Sequence, residues 1–162
     1  MHAPPRLSPL SLPQPGLEAL RDAAEVEGFG FVQRLMLDWD SGANRFAQPG
    51  EQLVGAFDEA RLLGFAGLNR DPYLRQAGVG RLRHLYVGPG ARGRGVGAAL
   101  VRHLLRSAAF HRLRLRTDTA AGAAFYLRLG FHAVMDATAT HEIHLPSAGH
   151  AAPAGGAAWD QG

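Results

Sequence analysis

The sequence predicts a mixed α/β protein, one central sheet of six to seven strands with helices on both faces. Three observations carry that reading. Arg81–Val87 reads as a strand, Gly95–Phe110 as an amphipathic helix, and Leu113 and Leu115 alternate with arginines as a second strand. Strand–helix–strand at this spacing is a βαβ unit, which implies parallel pairing and a right-handed crossover. A hairpin pattern before it and an antiparallel pair after it make the sheet mixed. The predicted order is β-α-α-β-β-β-α-β-α-β-β.

Taken in order, residues 1–15 are proline-rich, with a short edge strand near Arg6–Leu12. Pro15-Gly16 opens a helix whose Leu17, Leu20 and Ala24 fall at helical spacing. A second helix places Phe31, Val32, Leu35, Met36 and Trp39 on one stripe. Gln52–Phe57 and Leu62–Leu68 are strands joined by the turn Asp58-Glu59-Ala60-Arg61. Arg81–Val87 slips in parity, because Leu82 lies on one parity and Leu85 and Val87 on the other. Either a β-bulge near His84 restores one apolar face, or the strand is buried on both faces. In the following helix Val96, Leu100, Val101, Leu104, Leu105 and Ala108 form the apolar stripe. Asp118 or Thr119 caps the helix Ala120–Leu129, and Gly130 ends it. Ala133–Thr138 and His141–Leu145 form the last antiparallel pair. Residues 1–146 read as one domain, and the Ala, Gly and Pro-rich residues 147–162 as a disordered tail.

Charge is uneven along the chain. All 17 basic residues are Arg. Residues 70–116 carry 11 of them against one acid, Asp71, whereas residues 1–69 carry 5 against 9 acids. The basic block implies an anionic ligand beside a solvated arginine face that includes Arg112, Arg114 and Arg116. That row lacks interleaved aromatics, so nucleic acid is not expected. Absence of Cys excludes disulfides, thiolate metal sites and a cysteine nucleophile, and no metal is expected. No window approaches the ~20 apolar residues of a membrane span, and the N-terminus lacks a signal-peptide core. A cytoplasmic monomer or homodimer is the expectation.

Within the basic block, Gly88-Pro89-Gly90-Ala91-Arg92-Gly93-Arg94-Gly95-Val96-Gly97 joins strand to helix. Glycines at a helix start form an anion cradle. The Walker A pattern fails, because no Lys follows the glycines. Gly88, Gly90 and Gly93 match the dinucleotide pattern formally, with Asp118 near the place of a ribose-binding acid, but further βα repeats are missing. A third pattern fits better. Arg92-Gly93-Arg94-Gly95-Val96-Gly97 satisfies [Q/R]-x-x-G-x-[G/A], preceded by Leu85-x-Val87-x-Pro89 and followed by Phe125-Tyr126-x-x-Leu129-Gly130-Phe131.

On those residues the chain, from about Gln52 to Leu145, resembles the GNAT N-acetyltransferase superfamily. The resemblance implies a splayed sheet and transfer of an acetyl group from acetyl-CoA to a small-molecule or peptide primary amine, by direct attack in a ternary complex. It implies that the backbone amides of Arg92, Gly93, Arg94, Gly95, Val96, Gly97 and Ala98 bind the pyrophosphate, with the backbone of Tyr86 and Val87 on the pantetheine arm. Tyr126 takes the place of the tyrosine that protonates the departing thiolate. Thr119 and Gly122 stand where many relatives carry Asn and Ala, and Thr119 is the candidate cofactor contact there. For the base, His84 fits by type and place, since imidazole changes charge near neutral pH. Glu142 and His144 are alternatives, and Asp71 could orient a cationic acceptor. The acidic residues Glu25, Glu27, Asp38 and Asp40 would line the acceptor wall. Two other readings stay open: a CoA-binding module without turnover and a dinucleotide-binding oxidoreductase.

Overall fold

A computed structural model describes residues 2–146, so the expected tail from residue 147 lies outside the described residues. The elements run β1 (Arg6–Pro9), α1 (Leu17–Val26), α2 (Phe31–Ser41), β2 (Gln52–Asp58), β3 (Arg61–Arg70) and β4 (Val79–Val87). After a single 3-10 turn at Pro89–Ala91 come α3 (Val96–Ser107), β5 (Arg112–Leu115), α4 (Ala120–Arg128), β6 (His132–Ala133) and β7 (His141–His144). This is the predicted order. The seven strands form one open sheet, β1-β2-β3-β4-β5-β7-β6. β1 and β2 pair antiparallel, β4 and β5 parallel, and β7 antiparallel to both β5 and β6. Among the described residues, no helix is long and apolar enough to cross a membrane.

The described residues group into two compact units, and β3 and β4 each run from one into the other. The first unit holds residues up to 47, 51–67 and 84–104. Its core contains the predicted α1 stripe, Leu17, Leu20 and Ala24, with Val32 and Leu35 of α2. Phe31, Met36 and Trp39 pack partly buried against them, and Leu53, Phe57, Phe65 and Tyr86 complete the cluster from the strands. At roughly 1.5–3 kcal/mol for each fully buried large apolar side chain, this cluster is what fixes the two helices to the sheet.

The second unit holds residues 48–50, 68–83 and 105 onward. Leu68, Val79, Leu113, Leu115 and Phe131 are buried there. So are three charges. Arg114 keeps 2% of its side-chain surface and Arg81 9%, while Asp71 keeps none. Asp71 accepts from Arg81 at 3.4 Å and Arg114 at 3.2 Å. It also accepts from the Leu74 backbone N–H at 2.7 Å. Arg81 and Arg114 therefore depart from the expected solvated arginine face, whereas Arg116 stays half exposed. A buried guanidinium is tolerated only when paired, and Asp71 pairs two of them. Asp71 therefore holds the second unit together and is not available to orient an acceptor.

Several boundaries also differ: β1 stops at Pro9 rather than Leu12, β3 runs on to Arg70, and β4 begins at Val79 rather than Arg81. β6 stops at Ala133 instead of running to Thr138, because Asp136 accepts from both the N–H and the hydroxyl of Thr138 at 2.7 Å and turns the chain into a loop. α3 stops at Ser107 rather than Phe110. Phe110 is buried, and its ring sits where a Cβ at Gly80 would be.

Candidate cofactor and active site

The site begins with β4. His84 has φ +60°, a left-handed residue inside a strand, at the position where the apolar parity slips. The irregularity expected at His84 is there. A residue of that conformation turns the chain over, and beyond it Tyr86 enters the core beside Phe65, with ring centroids 6.4 Å apart. The imidazole of His84 lies between aromatic rings, 6.2 Å from Phe31 and 6.3 Å from Phe46. The ladder to β5 covers Val79 to Arg81, so the backbone of Tyr86 and Val87 lies beyond it.

The chain leaves β4 through Gly88, whose N–H donates to the Leu63 carbonyl at 2.8 Å. It then makes the 3-10 turn and enters the glycine motif. Gly93 and Gly95 have φ +78° and +77°, and a Cβ added at either would meet nothing within 4 Å. The glycines are thus required by backbone direction, and the space beside them is open. In this segment Arg92 N–H reaches Pro89 O at 3.5 Å, and Ala99 N–H bonds Gly95 O at 3.0 Å. Between them, among the described residues, the backbone N–H groups of Gly93, Arg94, Gly95, Val96, Gly97 and Ala98 find no backbone carbonyl. Six donors at the start of a twelve-residue helix, with its dipole behind them, are an arrangement that suits an anion.

The two arginines of the motif do something the sequence did not reveal. Arg92 donates to Glu27 through two nitrogens, at 2.6 and 2.7 Å. Its Nε donates to the Val87 carbonyl at 3.0 Å. Tyr86 O–H donates to the same Glu27 at 2.7 Å, and the Arg92 guanidinium lies 5.5 Å from the Tyr86 ring centre. Arg94 donates to Gly90 O at 2.8 Å. Both side chains brace the turn through Glu27 and backbone carbonyls, and none of these contacts uses the amides of Gly93 to Ala98. Hydrogen bonds from Arg92 and then Tyr86 hold the Glu27 carboxyl down at about 2. Burial, then the Glu27 carboxylate, pushes the Tyr86 phenol up to about 12. Glu27 thus belongs to the brace rather than to a free acidic wall, and the Val87 carbonyl already has a donor. Nothing in the sequence could locate this pair, because the partners are 65 residues apart.

In the second unit, Thr119 is the cap of α4. Its hydroxyl accepts from Gly122 N–H at 3.0 Å, which settles the choice between Asp118 and Thr119. A Cβ at Gly122 would collide with the Thr117 hydroxyl, so the residue standing in place of the family's Ala is held to glycine by packing. Tyr126 is buried on α4, edge-on to Phe125 and Phe131 at 5.0 and 5.5 Å. Burial pushes its phenol well above the ordinary tyrosine value, so the hydroxyl keeps its proton at neutral pH. Among the described residues, nothing accepts a hydrogen bond from it. Glu142 and His144 lie on β7 in a separate cluster with His132 and Arg112.

A mixed open sheet, with an irregular central strand feeding a glycine turn and a helix start of unengaged amides, is the architecture of an acyltransferase. The chain belongs to the acetyltransferase (GNAT) family, whose model matches residues 17–131. No curated protein matches the sequence. Among solved structures, a protein from Exiguobacterium sp. 255-15 assigned as an acetyltransferase is 28% identical, with a TM-score of 0.74 over 86% of this chain and 93% of its own. One from Desulfovibrio desulfuricans, assigned to the GNAT family, shares the fold at 21% identity and a TM-score of 0.71, over 86% and 98%. The N-acetyltransferase YhbS of Escherichia coli, solved in complex with CoA, shares it at 18% identity and 0.63, over 91% and 85%.

Proposed function

We propose that this acetyltransferase moves an acetyl group from acetyl-CoA to a primary amine by direct attack in a ternary complex. The observation that carries the reading is the run of unengaged amides from Gly93 to Ala98 behind two left-handed glycines. They fit a diphosphate, which needs many donors and little bulk. The backbone of Tyr86 and the N–H of Val87, whose carbonyl is taken by Arg92, would serve the pantetheine arm. Thr119 accepts in its cap and keeps its hydroxyl proton to donate.

In the reaction the amine nitrogen attacks the thioester carbon, and the C–S bond then breaks. An alkylamine has a pKa near about 10, so freeing its lone pair at pH 7 costs about 4 kcal/mol. His84 is the base that takes that proton, and the second proton, which the nitrogen loses as the amide forms, balances the one that the sulfur gains. Tyr126 stabilises the departing sulfur by donating its O–H, and the sulfur leaves as the CoA thiol. Because burial raises the Tyr126 phenol above a thiol's pKa of ~8.5, its main contribution is the hydrogen bond, with the net proton resupplied from solvent. Glu25, Asp38 and Asp40 favour a cationic acceptor, whereas the charge of Glu27 is taken up by Arg92.

CoA release measured against a panel of amines tests the reading. Tyr126→Phe is expected to lower kcat on the order of 100-fold, with the KM for acetyl-CoA little changed. An unchanged kcat removes Tyr126 from the mechanism. CoA binding without release on any amine turns the reading into a non-catalytic module.

A further inference from the structure

The last hairpin carries a cluster that the reaction proposed above does not call on. His132 on β6 pairs directly with Glu142 on β7, and His144 follows two residues along. Cross-strand partners and residues two apart share one face of a sheet, so all three side chains leave the same side. His132 Nε2 lies 3.8 Å and His144 Nε2 3.7 Å from the same oxygen, Glu142 Oε1. The imidazoles stack at 5.9 Å with 5° between their planes. One ligand atom from each residue lies within 4.8 Å of the others. The second carboxylate oxygen, Oε2, faces Arg112 at 3.7 Å.

We propose that His132, Glu142 and His144 bind a divalent transition-metal ion of the zinc type. The His–Glu separations are too long for hydrogen bonds, which close at 2.7–3.2 Å. They are close to what an ion between the groups requires: ligands at about 2.0–2.2 Å from zinc in a tetrahedron stand roughly 3.3–3.6 Å apart. The two His–Glu separations exceed this by a few tenths of an ångström and the ligand atoms as a set lie within 4.8 Å, and both histidine side chains are more than half exposed, so their rotamers are free to close on an ion. Two imidazoles and one carboxylate select a borderline ion over magnesium or calcium, which take oxygen ligands. Arg112 occupies Oε2 and so fixes which oxygen turns to the imidazoles, as outer partners of metal ligands do. The ion would clip β6, only two residues long, onto β7. The sequence alone gave no expectation of a metal, because the three residues meet only through the hairpin register.

Titration of the full chain with zinc chloride, by calorimetry and by imidazole nitrogen NMR, tests this. The expected result is one zinc per chain, with the His132 and His144 signals shifting together. His132→Gln and His144→Gln should each weaken binding about tenfold or more. Circular dichroism should be unchanged, since both sites are exposed. Absence of zinc binding overturns the proposal. So does zinc affinity that survives both substitutions, or magnesium binding of equal strength.

Discussion

Gly95→Ala separates the two demands placed on the glycine turn. At φ +77° an alanine pays for a left-handed backbone about 1–2 kcal/mol. No packing cost is added, because the new Cβ would meet nothing within 4 Å. For a chain of this length that strain lowers Tm by roughly 2–8 °C, taking 2–4 °C per kcal/mol. Ligand binding gives a different expectation. The Cβ would occupy open space beside a turn whose amides the diphosphate must approach to hydrogen-bond distance. Displacing one N–H contact to a charged phosphate, at about 1.5–3 kcal/mol, weakens CoA binding roughly 10-fold to 150-fold. Calorimetry with CoA, beside a thermal melt, reads both quantities on one sample. A melt that falls as stated while the CoA Kd stays within twofold of the parent would refute the cradle, and the glycine would then serve only the turn.

Other perturbations follow from the charges. Asp71→Ala leaves Arg81 and Arg114 buried without their shared partner and is expected to destabilise the protein by about 3–5 kcal/mol in urea unfolding; a loss under 1 kcal/mol contradicts the pairing. Glu27→Gln tests the brace. The folded carboxyl lies near 2, below its ordinary 4.5, so its contribution is full above about pH 4.5 and is lost as pH falls toward 2. Arg92 and Glu27 are 44% and 28% exposed, so solvent reduces that contribution to about 1 kcal/mol. The difference in urea midpoint between parent and variant should therefore shrink between pH 4.5 and 2.5, and a constant difference would count against the ion pair.

The features that could be read from the sequence are those written in local spacing. Leu17, Leu20 and Ala24 sit one helical turn apart, and they are the residues α1 buries. The parity slip around Leu82, Leu85 and Val87 pointed to His84, and the positive φ falls on that residue. The glycine motif marked the helix start because the constraint lies in the glycines themselves. Features set by distant partners were not legible. Nothing near Arg114 announces that Asp71, 43 residues earlier, will draw it into the interior. Alternation with Leu113 and Leu115 gave the opposite impression. Likewise Arg92 matched the motif by type, and only the fold shows that its side chain turns away from the amides to Glu27. The strand expected through Thr138 was lost to a single carboxylate bonding its neighbour's amide, a contact that apolar patterning does not register.

The buried guanidinium pair on Asp71 has a chemical consequence of a different kind. Every permanently cationic side chain from the surface to the interior is arginine, and none is lysine. Guanidinium stays protonated above pH 12 and is no nucleophile toward a thioester at neutral pH. A catalyst built to hand an activated acyl group to an amine thus carries no side-chain amine of its own. Its charged interior and its arginine braces are inert toward the cargo, and acetyl-lysine found after turnover must come from another molecule.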